Sequence, residues 1–438
     1  MKLNLKRTFF VGLAFLSICA FWQLYDYVIP LILKERFHMN EALAGGVMAL
    51  DNVLALFLLP LFGVLSDRTK TPIGRRMPFI LGGTAGAVVA MALIPLTASF
   101  GSLGLFFAAL GLALLSMSSY RSPAVALMPD VTEKPLRSKA NAIINLMGSV
   151  GGILILAVIS LAAPKGDNPN YLPLFLITAG VMVLSVAVLF FTTPENKLRL
   201  PEAPETAGDK ASGGRLSRSE LLSLCLILLS VFLWFMGYNA VTTAFSKYAK
   251  YYWGMEGGAP ANTLIVAQAA AIVAYYPVAL VSSKLGRRRT ILLGVALLGL
   301  AFVSAAFFKS FTPWMFVFFS LAGIAWAAIN VNSYPMVVEL SKNSNVGKYT
   351  GYYYAFSMSA QVVTPVLSGL FLEYVGYWTL FPYSTIFVAL SFVTMLLVHL
   401  GTTIKLRDFG AQWRTVIIAA VACIAISAAV FFLGQLIV

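Results

Sequence analysis

Apolar runs of about twenty residues, each closed by charge or by Gly and Pro, recur along almost the whole chain. That pattern leaves few folds open. A hydrocarbon core about 30 Å thick is crossed by a helix of about 20 residues. Inside lipid every backbone polar group has to be satisfied internally, so repeated spans of this length read as helices. Composition agrees: of 438 residues, 59% are hydrophobic and 11% charged, against about 25% charged in soluble domains. Such a chain cannot cover a surface facing water.

The runs place spans at 8–33, 42–65, 77–96, 102–128, 139–163 and 171–192. After a polar stretch at 194–218 come spans at 219–246, 262–283, 290–308, 313–338, 348–373 and 377–400. A basic segment and a further apolar run at 415–437 add an expected thirteenth helix. The expected fold class is an all-α polytopic membrane protein of two six-helix bundles in parallel repeat plus this extra C-terminal helix. The expected domains are 1–193, a linker at 194–218, a second bundle at 219–400, and 401–438. The start, with Lys2, Lys6 and Arg7 before an apolar run, looks like a signal peptide, but the run is too long for one and reads as a retained first helix.

Charge sets the orientation. The net charge is +14, which on a soluble protein would suggest nucleic acid. Here the Lys and Arg residues gather in the loops of one side. The other side holds Lys34, Arg36, Lys165, Lys247, Lys250 and Lys309. The positive-inside rule then puts the N-terminus and the linker in the cytoplasm of a cell inner (plasma) membrane. The bilayer itself, not nucleic acid, is the partner of this basic surface. Cys19, Cys225 and Cys423 sit in apolar runs and suggest no disulfide framework. His38 and His399 have no metal-ligand company, so neither a metal nor a cofactor is expected. No HExxH, GxSxG or phosphate-loop pattern occurs, which argues against an enzyme.

The halves look alike. Gly74-Arg75-Arg76 after the second span recurs as Gly286-Arg287-Arg288 after the eighth. Asp130 and Lys139 bracket the loop before the fifth span, as Glu339 and Lys348 bracket the loop before the eleventh. Parallel repeats joined by a linker are one layout of secondary transporters.

Ionisable groups within spans are functional candidates, because lone charges are costly in lipid. Asp26, Asp51 and Arg121 are the clearest. At about 1.5 Å per residue they stand roughly 27, 21 and 10 Å from the inner ends of their helices. The two acids are at similar depth on neighbouring spans, and a carboxyl withdrawn from water beside a like charge binds a proton more readily. Asp51 is the first choice for a coupling proton, and Asn52 next to it is a candidate substrate contact. Asp26 shares a face with Trp22 and Gln23, so it is also placed to touch substrate. Plainer readings are an outer-interface position for Asp26, a structural hydrogen bond for Asp51 and snorkelling for Arg121.

The second half carries amides and rings instead: Trp234, Tyr238 and Asn239; Gln268 with Tyr275; Trp326, Asn330, Asn332 and Tyr334; and Tyr354, Ser357, Gln361 and Thr364. Such stripes suit a sugar, which offers hydroxyls and an apolar ring face. They also suit helix packing, where polar side chains act as glue. On the basic side, Asp67, Arg68, Arg75, Arg76 and Asp130 form a candidate cytoplasmic gate.

The loop Ser66-Asp67-Arg68-Thr69-Lys70-Thr71-Pro72-Ile73-Gly74-Arg75-Arg76-Met77-Pro78-Phe79 resembles the signature between helices 2 and 3 of the major facilitator superfamily. Its ending, with Ser122-Pro123-Ala124-Val125-Ala126-Leu127-Met128-Pro129-Asp130, Arg137 and Asn141, is similar to the sucrose/proton symporters and the glycoside–pentoside–hexuronide transporters. The resemblance implies alternating-access symport of a sugar or glycoside with a proton, by a monomer. It also implies an Asp26–Arg121 pair, against which the depth arithmetic counts. Sodium-linked members carry acids where this chain has Ala55, Leu59 and Arg121, so a sodium site is not carried over. A drug or metabolite efflux antiporter, with a cavity lined by Met and Phe, is the rival reading.

Overall fold

A computed structural model describes residues 3–133, 136–165, 169–198, 218–339 and 346–398. Among these residues the chain is helical throughout, without strands. The helices are α1 (Leu5–Glu35), α2 (Glu41–Arg68), α3 (Met77–Ser99), α4 (Leu103–Val131), α5 (Arg137–Ala162), α6 (Leu172–Thr192) and the short α7 (Glu195–Leu198). They continue with α8 (Arg218–Tyr251), α9 (Ala259–Leu285), α10 (Arg287–Ala306), α11 (Met315–Glu339), α12 (Val346–Tyr374) and α13 (Leu380–Leu396). Among the described residues 11 helices are long and apolar enough to cross a membrane, and a shorter apolar stretch covers Ala259–Tyr275. The protein is an all-α polytopic membrane protein.

The helices follow the apolar runs to within a few residues, with informative exceptions. The stretch after α6 begins with a helical turn, α7, rather than a free linker. The last expected span opens as a 3-10 turn at Tyr377–Thr379 and ends at Leu396, where Leu397 caps it. The run at 415–437 and most of the polar stretch lie outside the described residues.

Two compact units emerge. One comprises α1, α2 from Leu50 onward, α3 to α7 and the Glu256–Ile265 segment. In it α1 packs on α5 and α6, and α3 packs on α4 and α6. The other comprises Glu41–Ala49, α8, α9 from Val266 and α10 to α13. In it α8 packs on α12 and α13, and α10 on α11 and α13. The pairing scheme is the same in both.

Glycine makes these contacts close. A Cβ at Gly151 in α5 would lie 2.3 Å from the Leu16 carbonyl oxygen of α1. At Gly83 in α3 it would lie 2.8 Å from the Ser116 carbonyl of α4, and at Gly294 in α10 it would lie 2.9 Å from the Ala325 carbonyl of α11. Lipid gives helices no hydrophobic reason to associate, so close backbone approach and dispersion hold them. Proline stands inside α1, α2, α3, α4, α9, α11 and α12.

Candidate functional site

In the first unit, α1 and α2 bring Asp26 and Asp51 into electrostatic range of each other. Both are half-buried. Asn52 donates its side-chain N–H to Asp51 Oδ1 at 2.7 Å, which holds the carboxylate in place. Arg121, from α4, exerts its charge on Asp51 and on the Cys19 thiol. The Asp26–Arg121 pair implied by resemblance gives way to an Asp51–Arg121 interaction.

Tyr25, which sequence reasoning passed over, joins this cluster. It is buried, it lies in the field of both Asp26 and Asp51, and its hydroxyl has no hydrogen-bond partner among the described residues. The Trp22 ring sits edge-on to it at 5.3 Å, and the Trp22 indole N–H is likewise buried and unpartnered. These two donors stand without acceptors in the cluster, and an unmade buried hydrogen bond costs about 1–3 kcal/mol. Gln23 is half-buried one residue on.

In the second unit, the Tyr238 and Trp326 rings stack face to face at 3.6 Å and 4°. Phe235 meets Trp326 edge-on at 5.4 Å. Nearby in sequence on α8, the Trp234 indole N–H and the Asn239 amide N–H are buried without partners among the described residues. Asn330 is exposed and Gln268 is half-buried. Gln361 Nε2 donates to the Ser357 carbonyl at 3.3 Å. Asn332 is different: it accepts from the Ser282 hydroxyl and donates to the Ala328 carbonyl at 2.9 Å. Both ends of its amide are used inside the unit, so it is helix glue.

The loop between α2 and α3 carries a dense charge network. Arg75 grips Asp130 with two bonds, Nη2 to Oδ1 at 2.7 Å and Nε to Oδ2 at 3.2 Å. Arg76 Nε adds a bond to Asp130 Oδ2 at 2.9 Å, and its other nitrogens reach Asp67 and Ser66. Four of the five residues expected there come together within the first unit. Arg68 does not: it is exposed in the last turn of α2.

Glu195 completes the network and was not anticipated. Its carboxylate accepts from the backbone N–H groups of Arg75 at 2.9 Å, Arg76 at 3.0 Å and Met77 at 2.9 Å. These include groups that the first turn of a helix leaves unsatisfied, and the helix dipole favours an anion there. Gly74 has φ +122° and leaves no room for a Cβ, which would meet Glu195 Oε2 at 2.1 Å. Asn196 ties the same segment to the loop by bonds to the carbonyls of Thr71 and Pro72, at 3.0 and 2.8 Å. The second Gly-Arg-Arg is wired otherwise: Arg288 donates to the Met395 and Leu396 carbonyls at the end of α13. The side chains of Glu339 and Lys348 lie outside the described set.

The family profile described as Major Facilitator Superfamily matches residues 11–274 and 261–438. An uncharacterised symporter of Synechocystis is 29% identical over 202 residues, 42% of this chain and 34% of its own length. The human proton-associated sugar transporter A is 26% identical over 41% of this chain and 26% of its own length. A putative glycoside/cation symporter of Escherichia coli is 26% identical over 41% of each chain. The chain thus spans about a quarter to a half of the curated relatives it matches. Among solved structures, a nucleoside transporter superposes with a TM-score of 0.66 at 12% identity, over 90% of this chain and all of that one. A peptide transporter of the POT family gives 0.68 at 12%, over 90% and 95%. At that identity the likeness speaks for the fold alone.

Proposed function

Because the chain belongs to the Major Facilitator Superfamily, we propose that it is a secondary active transporter carrying a sugar or glycoside by alternating access, in symport with a proton. The observation that carries the reading is the acidic pair Asp26 and Asp51 on α1 and α2, facing the unpartnered donors of Trp22 and Tyr25. The names of the human and Escherichia coli relatives point the same way.

Deprotonated, Asp51 is attracted to Arg121 and repelled by Asp26. A proton on Asp51 cancels both effects at once, so it changes which arrangement of α1, α2 and α4 is most stable. Protein surfaces with two discrete arrangements turn such a local change into a switch. In the first unit, substrate hydroxyls accept from Trp22 and Tyr25; in the second, taken by itself, the Tyr238–Trp326 stack is an apolar platform of the kind a sugar ring uses. The Arg75–Arg76–Asp130–Glu195 network is the cytoplasmic gate of this reading, with the N-terminus cytoplasmic and the protein in the plasma membrane. The reading takes the protein as a monomer and the proton, rather than sodium, as coupling ion.

The test is uptake of a panel of radiolabelled sugars into proteoliposomes under an imposed proton gradient. Accumulation of one of them, collapsed by a protonophore, is the expected result. Dye extrusion without sugar flux would replace the reading with efflux.

A further inference from the structure

The first unit holds a cavity at the end opposite the Arg75–Arg76 loop. There the end of α1, the end of α3 and the start of α6 enclose about 170 Å³. Ile32, Leu96 and Leu172 supply apolar lining; Arg36, Asn170 and the Pro169 segment supply polar lining. Leu96 is 38% exposed, Leu176 one turn into α6 is 50% exposed, and Phe100 at the end of α3 is 74% exposed. On membrane spans such side chains meet lipid, so the cavity opens beside the bilayer. Its acceptors are taken: the Pro169 carbonyl accepts from Arg36 Nη2 at 3.1 Å, and Asn170 Oδ1 accepts the Leu172 N–H at 3.0 Å, capping α6. The Tyr171 hydroxyl turns to Glu35 at 2.8 Å. The other guanidinium N–H groups of Arg36 and the amide N–H groups of Asn170 meet no acceptor among the described residues.

We propose that this cavity binds the phosphodiester of a bilayer phospholipid, with Arg36 and Asn170 donating to its oxygens and the adjoining glycerol carbons resting on Leu96 and Leu172. What the cavity offers is donors, a fixed positive charge and apolar wall. The matching group is an anion that only accepts and that carries an apolar tail. A guanidinium fits two oxygens of one phosphate in a fork, and the positive end of the α6 dipole lies on the same side. Size agrees. A water takes about 30 Å³ of liquid, so the space holds about the five heavy atoms of a phosphodiester, with the acyl chains left in the bilayer. A sugar fits less well, because each hydroxyl also donates and the acceptors here are engaged.

Such a lipid touches three helices at once. Both α1 and α3 pack on α6 in this unit, and the cavity lies where all three meet the membrane surface. A ligand that binds the folded unit alone raises its stability as its concentration rises. The site stands apart from the transport reading, since it concerns a lipid at Arg36 and not a solute at Asp51.

The experiment is photolabelling and native mass spectrometry of the full chain in detergent, with dioleoylphosphatidylglycerol as the probe. A form of that lipid with a diazirine beside the glycerol is expected to label the wild-type protein within 95–99 or 169–172, a result that depends on no variant folding. In native spectra Arg36→Ala should raise the Kd for the lipid about tenfold. Leu172→Trp, which fills the cavity and keeps the charge, should do the same. Lys309→Ala removes an exposed cation elsewhere and should leave binding as in the wild type. Dioleoylglycerol, which lacks the phosphate, and glycerol 3-phosphate, which lacks the chains, should not compete. Labelling confined to other segments, or equal lipid binding by Arg36→Ala and wild type, overturns the proposal. Competition by glycerol 3-phosphate overturns it in favour of a soluble phosphate ester, and competition by a sugar overturns it in favour of a solute site. Sugar uptake is not read, so failure here leaves the transport reading standing.

Discussion

Glu195 caps the helix that Met77 begins: its carboxylate accepts the Met77 backbone N–H at 2.9 Å, from a residue that follows α6. Capping from so far along the chain ties α7 to the loop that carries Arg75 and Arg76. Glu195→Ala is expected to cost about 1–2 kcal/mol of stability. Thermal unfolding in detergent would show a lowered midpoint, with Glu195→Gln intermediate because an amide oxygen still accepts. A midpoint unchanged in Glu195→Ala would mean that the cap contributes nothing.

Neighbouring glycines in α2 separate packing from propensity. A Cβ at Gly46 meets nothing within 4 Å, whereas at Gly45 it meets the Pro365 backbone. Gly46→Ala should stabilise the protein by about 0.5–1 kcal/mol. Gly45→Ala should destabilise it by about 1–3 kcal/mol through overpacking. The same unfolding assay ranks the two, and equal shifts would contradict the close approach of α2 and α12.

Arg68 and Arg76 flank the same loop with different surroundings, since Arg68 is exposed and Arg76 bonds Asp130, Asp67 and Ser66 from a buried position. Arg68→Gln is expected to stay within about 0.5 kcal/mol of wild type. Arg76→Gln should lose about 1–3 kcal/mol, the cost of unmade buried hydrogen bonds, since Asp130 keeps its two bonds to Arg75. Expression level and detergent stability of the two variants make the comparison.

The Tyr238–Trp326 stack predicts a split in kinetics. Trp326→Ala removes the platform from substrate in every state, so KM for uptake should rise about tenfold or more while the maximal rate changes less. A fall in rate with KM unchanged would assign the stack to packing.

Much of the fold was legible because lipid leaves a helix few choices: twenty apolar residues and a basic loop suffice to place a span. The charge network was legible for a related reason, since Asp67 and Asp130 stand out among basic residues. Contacts set by the third dimension were hidden. Glu195 looked like linker, and nothing in its neighbourhood in sequence says that it meets the start of α3. Asn332 fell in a polar stripe, yet it is buried and each end of its amide bonds within the unit, to Ser282 and Ala328, a distinction that periodicity does not carry.

The central claim is that Asp51, beside Asp26 and in the field of Arg121, takes up the coupling proton. Its most direct test is sugar uptake into proteoliposomes by Asp51→Asn under an imposed proton gradient, with counterflow from preloaded vesicles in parallel. The account predicts that accumulation is abolished while exchange of internal for external sugar continues. Accumulation in Asp51→Asn equal to that of the wild type would contradict it.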